Sequence, residues 1–143
     1  MLDAYRDLID ELLGTPSEIR SLVDAADAAR VTPEVRRSLA ELRDRDRAVL
    51  ERAQTMTRQE HAYLRPLRLD APAADEDLAH LLQEMETARG DLVSLLINLS
   101  LKDWERTAIH ETEGEVTLAD EIEQHVEFDE SHRRRFRELM AGS

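Results

Sequence analysis

Apolar residues recur along the chain at intervals of three and four, the period of α-helices that present one face to a core. Leu2, Tyr5, Leu8, Ile9 and Leu12 mark a first, short helix. Gly14-Thr15-Pro16-Ser17-Glu18 reads as a stop followed by a new start. Thr15 can cap, Pro16 suits a first helical position and Glu18 can close a capping box. Ile19, Leu22, Val23 and Ala26 continue that second piece. Val31-Thr32-Pro33-Glu34 repeats the start signal, and a long helix over about 33–60 follows, with Val35, Leu39, Leu42, Val49, Leu50 and Ala53 on one side. Pro66 and Pro72 bracket a connecting loop. The strongest stripe predicts a helix over about 74–100: Leu78, Leu81, Leu82, Met85, Leu92, Leu95, Leu96 and Leu99. A loop over about 102–116 holds Trp104 and Gly114, and Thr117 caps a last helix carrying Leu118, Ile122, Val126, Phe136, Leu139 and Met140. No strand-length alternation is visible. The pattern predicts an all-α four-helix bundle with a short extra N-terminal helical segment and no sheet, one domain over 1–143.

Charge narrows the partners. The chain carries 32 acidic and 19 basic residues, a formal charge of −13, which repels phosphate backbones and argues against nucleic acid. Arg133, Arg134 and Arg135 form the one basic run, at the end of the last helix, where cations suit the helix dipole. Cysteine is absent, so there is no disulfide, thiolate nucleophile or Cys-ligated metal, in keeping with a reducing cytoplasm. The apolar stretch Leu92 to Leu101 is too short for a bilayer, and a soluble protein without a membrane partner is expected.

Polar residues on inward stripes are the candidate chemistry. On the last helix His125, Asp129 and His132, at i, i+4 and i+7, fall within about 40° of the direction set by Leu118, Ile122 and Phe136. Asp46 lies inside the stripe of the long second helix, and Arg89 falls between Met85 and Leu92. Such a layer is costly unless its members satisfy one another. Two readings stand. His125, Asp129 and His132 with Asp46 can ligate one divalent metal, Zn²⁺, Ni²⁺ or Fe²⁺. Alternatively Arg89 pairs with Asp46 or Asp129, the histidines donate to carboxylates, and no metal is held. His110, Glu111, Glu113 and Glu115 read as a solvated acidic loop, Trp104 as a packing lid and His80 as surface.

The stretch from Leu101 to Leu139 resembles the DinB/YfiT-like four-helix-bundle superfamily, regarded as metalloenzymes and unrelated to the DNA polymerase of similar name. Asp103-Trp104-Glu105-Arg106, His110, Gly114-Glu115-Val116-Thr117-Leu118 and Glu127-Phe128-Asp129-Glu130-Ser131-His132 carry the likeness, and Leu12-Leu13-Gly14-Thr15-Pro16 is similar to the family's opening turn. The resemblance implies a bundle whose two middle helices run the same way. It also implies a three-histidine metal site, with one ligand on the second helix and two on the last. His132 matches the final ligand. Phe128 stands where the other last-helix ligand is expected, and no histidine lies near Ser38 to Leu42; His61 is at the far end of that helix.

Three function classes follow: a metal-dependent enzyme of thiol-dependent transferase or hydrolase type, a bundle that binds a small ligand between its helices, and a structural or interaction protein. The reading adopted is a DinB-like bundle of open activity whose altered central site holds no metal, with the metal-dependent enzyme as the alternative. A homodimer through the third long helix is expected, because Ala88, Leu95, Val93 and Ile97 widen its apolar arc beyond one bundle face.

Overall fold

The computed structural model describes residues 3–142; Leu2, counted in the first apolar stripe, lies outside them. Long helices α1 (Asp3–Asp24), α2 (Pro33–Arg58) and α3 (Leu78–Ile97) are followed by the single turn α4 (Leu101–Trp104) and the last long helix α5 (Leu118–Ala141). Their starts follow local chemistry. Thr32 Oγ1 accepts the Val35 N–H at 3.3 Å with Pro33 in the first turn, and Asp77 accepts the His80 N–H at 3.2 Å. Thr117 and Asp120 exchange capping-box hydrogen bonds at 2.8 and 3.1 Å. α5 ends at Gly142, whose φ of 71° is the left-handed conformation that glycine adopts without a Cβ penalty.

Cross-helix pairs give the directions. Arg43 meets Glu84 at 2.8 Å and Asp46 meets Arg89 at 3.0 Å, so α2 and α3 run parallel. Thr15 meets Asp129 and Glu18 meets Arg133, so α1 and α5 also run parallel. Ser38–His132, Asp46–His125 and Arg52–Glu121 set α2 against α5. Parallel neighbours cannot be joined by a tight turn, and the chain returns through residues 59–77.

That return and the segment before α5 correct the expectation of no sheet. β1 (Ala62–Leu64), β2 (Thr107–His110) and β3 (Gly114–Thr117) form a sheet in the order β1-β2-β3. β1 and β2 are parallel, with Ala62 opposite Ala108, and β2 and β3 are antiparallel. Ala62, Leu64, Ala108 and Val116 are buried against Leu12, Val49 and Met56. Each strand sends so few residues inward that no alternation accumulates, and the β1–β2 pairing joins distant segments.

A second correction concerns α1. The stop expected at Gly14-Thr15-Pro16 is absent: one helix runs from Asp3 to Asp24 with Pro16 inside it, and a short 3-10 turn at Ala28–Arg30 follows. Thr15 is buried in its middle instead of capping a second piece, and Glu18 pairs with Arg133 and Arg137 on α5. The Arg137 hydrogen bond, with Arg133 assisting, outweighs desolvation and holds the Glu18 carboxyl below its ordinary range.

The wide apolar arc of α3 is largely spent inside the molecule. Ala88 and Val93 are buried because α3 packs against both α1 and α2, and Ile97 is the member left 56% exposed. No helix among the described residues is long and apolar enough to cross a membrane.

Candidate functional site

The hydrophobic interior is in two parts. One, around Leu12, Val49, Leu92 and Trp104, lies toward the sheet; the other gathers Ile19, Leu39, Met85 and Phe136. The wheel of each helix brings its inward polar residue to the level between them. Thr15, Asp46, Arg89, His125 and Asp129 are all buried there.

Arg89 is the centre of that layer. Its Nε donates to both Asp46 oxygens at 3.1 Å, and its Nη2 donates to Asp129 Oδ1 at 2.6 Å. Its Nη1 donates to Asp129 Oδ2 at 3.0 Å and to the Leu12 carbonyl at 2.6 Å. That last bond has a cause in the sequence. The Leu12 carbonyl would normally accept the N–H of the residue four positions on, and that residue is Pro16, which has none. The proline frees a buried acceptor and Arg89 takes it. Thr15 adds a short hydrogen bond to Asp129 Oδ2. Burial by itself favours a neutral guanidine. Contacts with Asp129 and Asp46 outweigh it and hold Arg89 protonated more firmly than usual.

Both histidines are committed to hydrogen bonds. His125 Nε2 lies 2.7 Å from Asp46 Oδ1, and its Nδ1 accepts from Arg45 Nε at 3.3 Å. A carboxylate only accepts and Arg45 only donates, so the Nε2–H tautomer fits and no lone pair is left free. His132 Nε2 lies 2.7 Å from the Ser38 carbonyl and 2.9 Å from its hydroxyl. A carbonyl cannot donate, so this nitrogen carries the proton. The fold thus brings Ser38 and His132 together, where the resemblance places metal ligands on α2 and α5. Phe128 lies beside them, its ring centre 5.2 Å from that of His132, with the Arg45 guanidinium 4.3 Å above it. These residues do not fit a metal: one imidazole with a protonated Nε2, one hydroxyl and one phenyl ring make no donor set.

Of the four predicted ligands, Asp46 and His125 touch each other, Asp46 and Asp129 meet through Arg89, and His132 faces Ser38 instead. Among the described residues the set of three donors within 4.8 Å of one another is elsewhere: Glu76, His80 and Glu84, at the start of α3. His80 is exposed there, as its position off the stripe predicted, and its Nε2 lies 3.2 Å from Glu84. This donor set is of a kind a divalent cation accepts. Arg43 already bridges it, at 2.9 Å from Glu76 and 2.8 Å from Glu84, and the Glu76 hydrogen bond keeps Arg43 firmly charged. Sequence reasoning missed Arg43, Arg45, Ser38 and Thr15. The i, i+4 step from His80 to Glu84 was readable, but Glu76 precedes the helix and Arg43 comes from another. His110 sits at the end of β2, buried, with Nδ1 accepting the Thr112 and Glu113 N–H groups at 3.2 and 3.3 Å. The expectation of a solvated loop therefore fails for His110, because the strand holds it inward.

Four long helices with parallel middle members, joined by a long return, define the architecture. The chain has the DinB/YfiT-like four-helix-bundle fold. Among solved structures it is similar to YfiT from Bacillus subtilis, a "probable metal-dependent hydrolase with an unusual four-helix bundle topology". That likeness has a TM-score of 0.79 at 20% identity and covers 94% of this chain and 84% of the other. No family profile and no curated protein matches the chain.

Proposed function

We propose that this protein is a metal-independent bundle of the YfiT architecture, in which Arg89 provides the central positive charge and the protein acts by binding rather than by metal-assisted hydrolysis. The observation that carries this reading is the bonding of Arg89 to Asp46 and Asp129 together. A metal bound by those carboxylates would have to sit beside a buried guanidinium that already satisfies them, and like charges in a desolvated layer repel strongly. The occupied Nδ1 of His125 and the protonated Nε2 of His132 point the same way. Among the described residues, the set that offers a divalent cation three donors is Glu76, His80 and Glu84.

Zinc titration of untagged protein, followed by calorimetry and by metal analysis after gel filtration, tests this. His132→Ala is expected to leave zinc binding unchanged. Any weak binding present should disappear in His80→Ala. Stoichiometric metal that co-purifies and is lost in the His132 variant would overturn the reading and favour a metal-dependent enzyme.

Self-association through the end of α3 belongs to the same proposal. Ile97 and Leu13 are both exposed and line one apolar groove with Tyr5, Ile9 and Trp104. An exposed apolar patch of this kind supports a two-fold dimer in which a second copy covers it. Light scattering at tens of micromolar should give twice the chain mass, and Ile97→Glu should return it to the monomer value. A wild-type monomer mass rejects the dimer.

A further inference from the structure

Beyond that proposal, the cleft between α2, α5 and the 59–77 return holds polar groups that neither the ionic layer nor the fold uses. It has a volume of about 200 Å³, with Val49, Ala53, Leu67, Leu118 and Ile122 among its apolar walls and Arg45, Arg52, His110 and Glu121 among its polar ones. Arg52 is spent, on Glu121 Oε1 at 2.7 Å and on the Arg65 carbonyl. Arg45 is not. Its Nε is used by His125 and its face by Phe128. Among the described residues no carboxylate forms an ion pair with it, and its two Nη groups have no hydrogen-bond partner. Burial, with the positive charge of Arg52 nearby, lowers its proton affinity from the ordinary arginine value. His110 is less free: its Nδ1 accepts two backbone N–H groups, so Nε2 carries the proton, and that nitrogen lies 3.7 Å from Glu113 Oε2. The opposite need is present in the same cleft. Glu121 Oε2 is buried with no hydrogen-bond partner among the described residues.

We infer that this cleft is a binding site for a small hydroxycarboxylate, its carboxylate held by the Arg45 guanidinium and its hydroxyl donating to Glu121 Oε2. Guanidinium and carboxylate match in charge and planar geometry. One unpaired cation, in a cleft also walled by Glu113 and Glu121, fits one negative charge and disfavours a dianion such as phosphate. The aliphatic walls limit the remainder of the ligand to a short apolar chain.

Ligand-observed NMR titration of the full chain with lactate, 3-hydroxybutyrate, propionate, lactamide and inorganic phosphate tests the site. At least one of the two hydroxycarboxylates should bind saturably. Lactamide, which lacks the charge, and phosphate should bind at least about tenfold more weakly than it does, and propionate, which lacks the hydroxyl, measurably more weakly. Arg45→Gln should lose at least about tenfold in affinity. Leu67→Trp, which fills the cleft and leaves Arg45 in place, should abolish binding even if the arginine variant folds poorly. The proposal is overturned if neither hydroxycarboxylate saturates at tens of millimolar, if lactamide, propionate or phosphate binds as well as they do, or if Leu67→Trp binds normally. This titration reads the cleft and the zinc titration reads the central layer, so failure of the one is distinguishable from failure of the other.

Discussion

Arg89→Met is expected to destabilise the protein by about 3–5 kcal/mol, because it leaves the buried carboxylates of Asp46 and Asp129 without their counter-charge. For a domain of this size that corresponds to a fall in melting temperature of roughly 10–15 °C. The loss also leaves the Leu12 carbonyl, orphaned by Pro16, without its donor. The expected partner result is partial rescue. Adding Asp46→Asn and Asp129→Asn to Arg89→Met removes the uncompensated charges, and the triple variant should melt well above the single one. Rescue of that kind separates an ionic layer from a merely well-packed arginine, since packing alone predicts that three substitutions are worse than one. Thermal melts followed by circular dichroism check both. A single variant as stable as the wild type would show that Arg89 is not what neutralises the layer.

Trp104→Ala should cost about 3–5 kcal/mol, comparable to the first variant but located at the sheet end. The indole is 1% exposed and its ring stacks on Tyr5, with centroids 4.6 Å apart and planes 7° from parallel. Truncation removes a large apolar body from the joint of α1, α4 and the sheet, along with the aromatic pair. Because Trp104 is the single tryptophan of the chain, its emission reports on that end alone in the wild type. The buried ring should emit to the blue of free tryptophan. Its shift on heating should coincide with the loss of helical signal if the two apolar halves melt together. A destabilisation under about 1 kcal/mol for the alanine variant would contradict the packing described, since a fully buried tryptophan has no cheap replacement.

The ionic layer divides the interior into two apolar halves, and it connects all four long helices. Thr15 comes from α1, Asp46 from α2, Arg89 from α3, and His125 and Asp129 from α5. Each hydrogen bond in it holds only if the register of two helices is right. A sliding helix would strand a buried charge, so the layer selects one arrangement among those that apolar stripes alone permit. Arg45 belongs to the edge of this layer, through His125, and opens onto the cleft. Cleft and layer thus share Arg45, and among the described residues the buried side-chain oxygen without a partner, Glu121 Oε2, belongs to a residue of the cleft wall.

The sequence by itself determined the long helices α2, α3 and α5 and the caps at Thr32 and Thr117. It also determined which polar residues face inward, because a helix wheel depends on nothing beyond spacing. Asp46, Arg89, His125 and Asp129 were all legible that way. Local signals failed where tertiary context outweighed them. Gly14-Thr15-Pro16 reads as a break, yet the helix continues through it because Arg89, from α3, satisfies the carbonyl the proline leaves free. The strands were invisible because β1 pairs with a segment far along the chain and each strand shows too few inward positions to make a pattern. Periodicity gave α3 a wide apolar arc but not what covers it: α1 and α2 of the same chain bury Ala88 and Val93, and Ile97 stays exposed. Most of all, a wheel gives the direction of a side chain and not its partner. Whether Asp46 and Asp129 meet a metal or an arginine depends on distances of a few ångströms between helices, and only their packing set those.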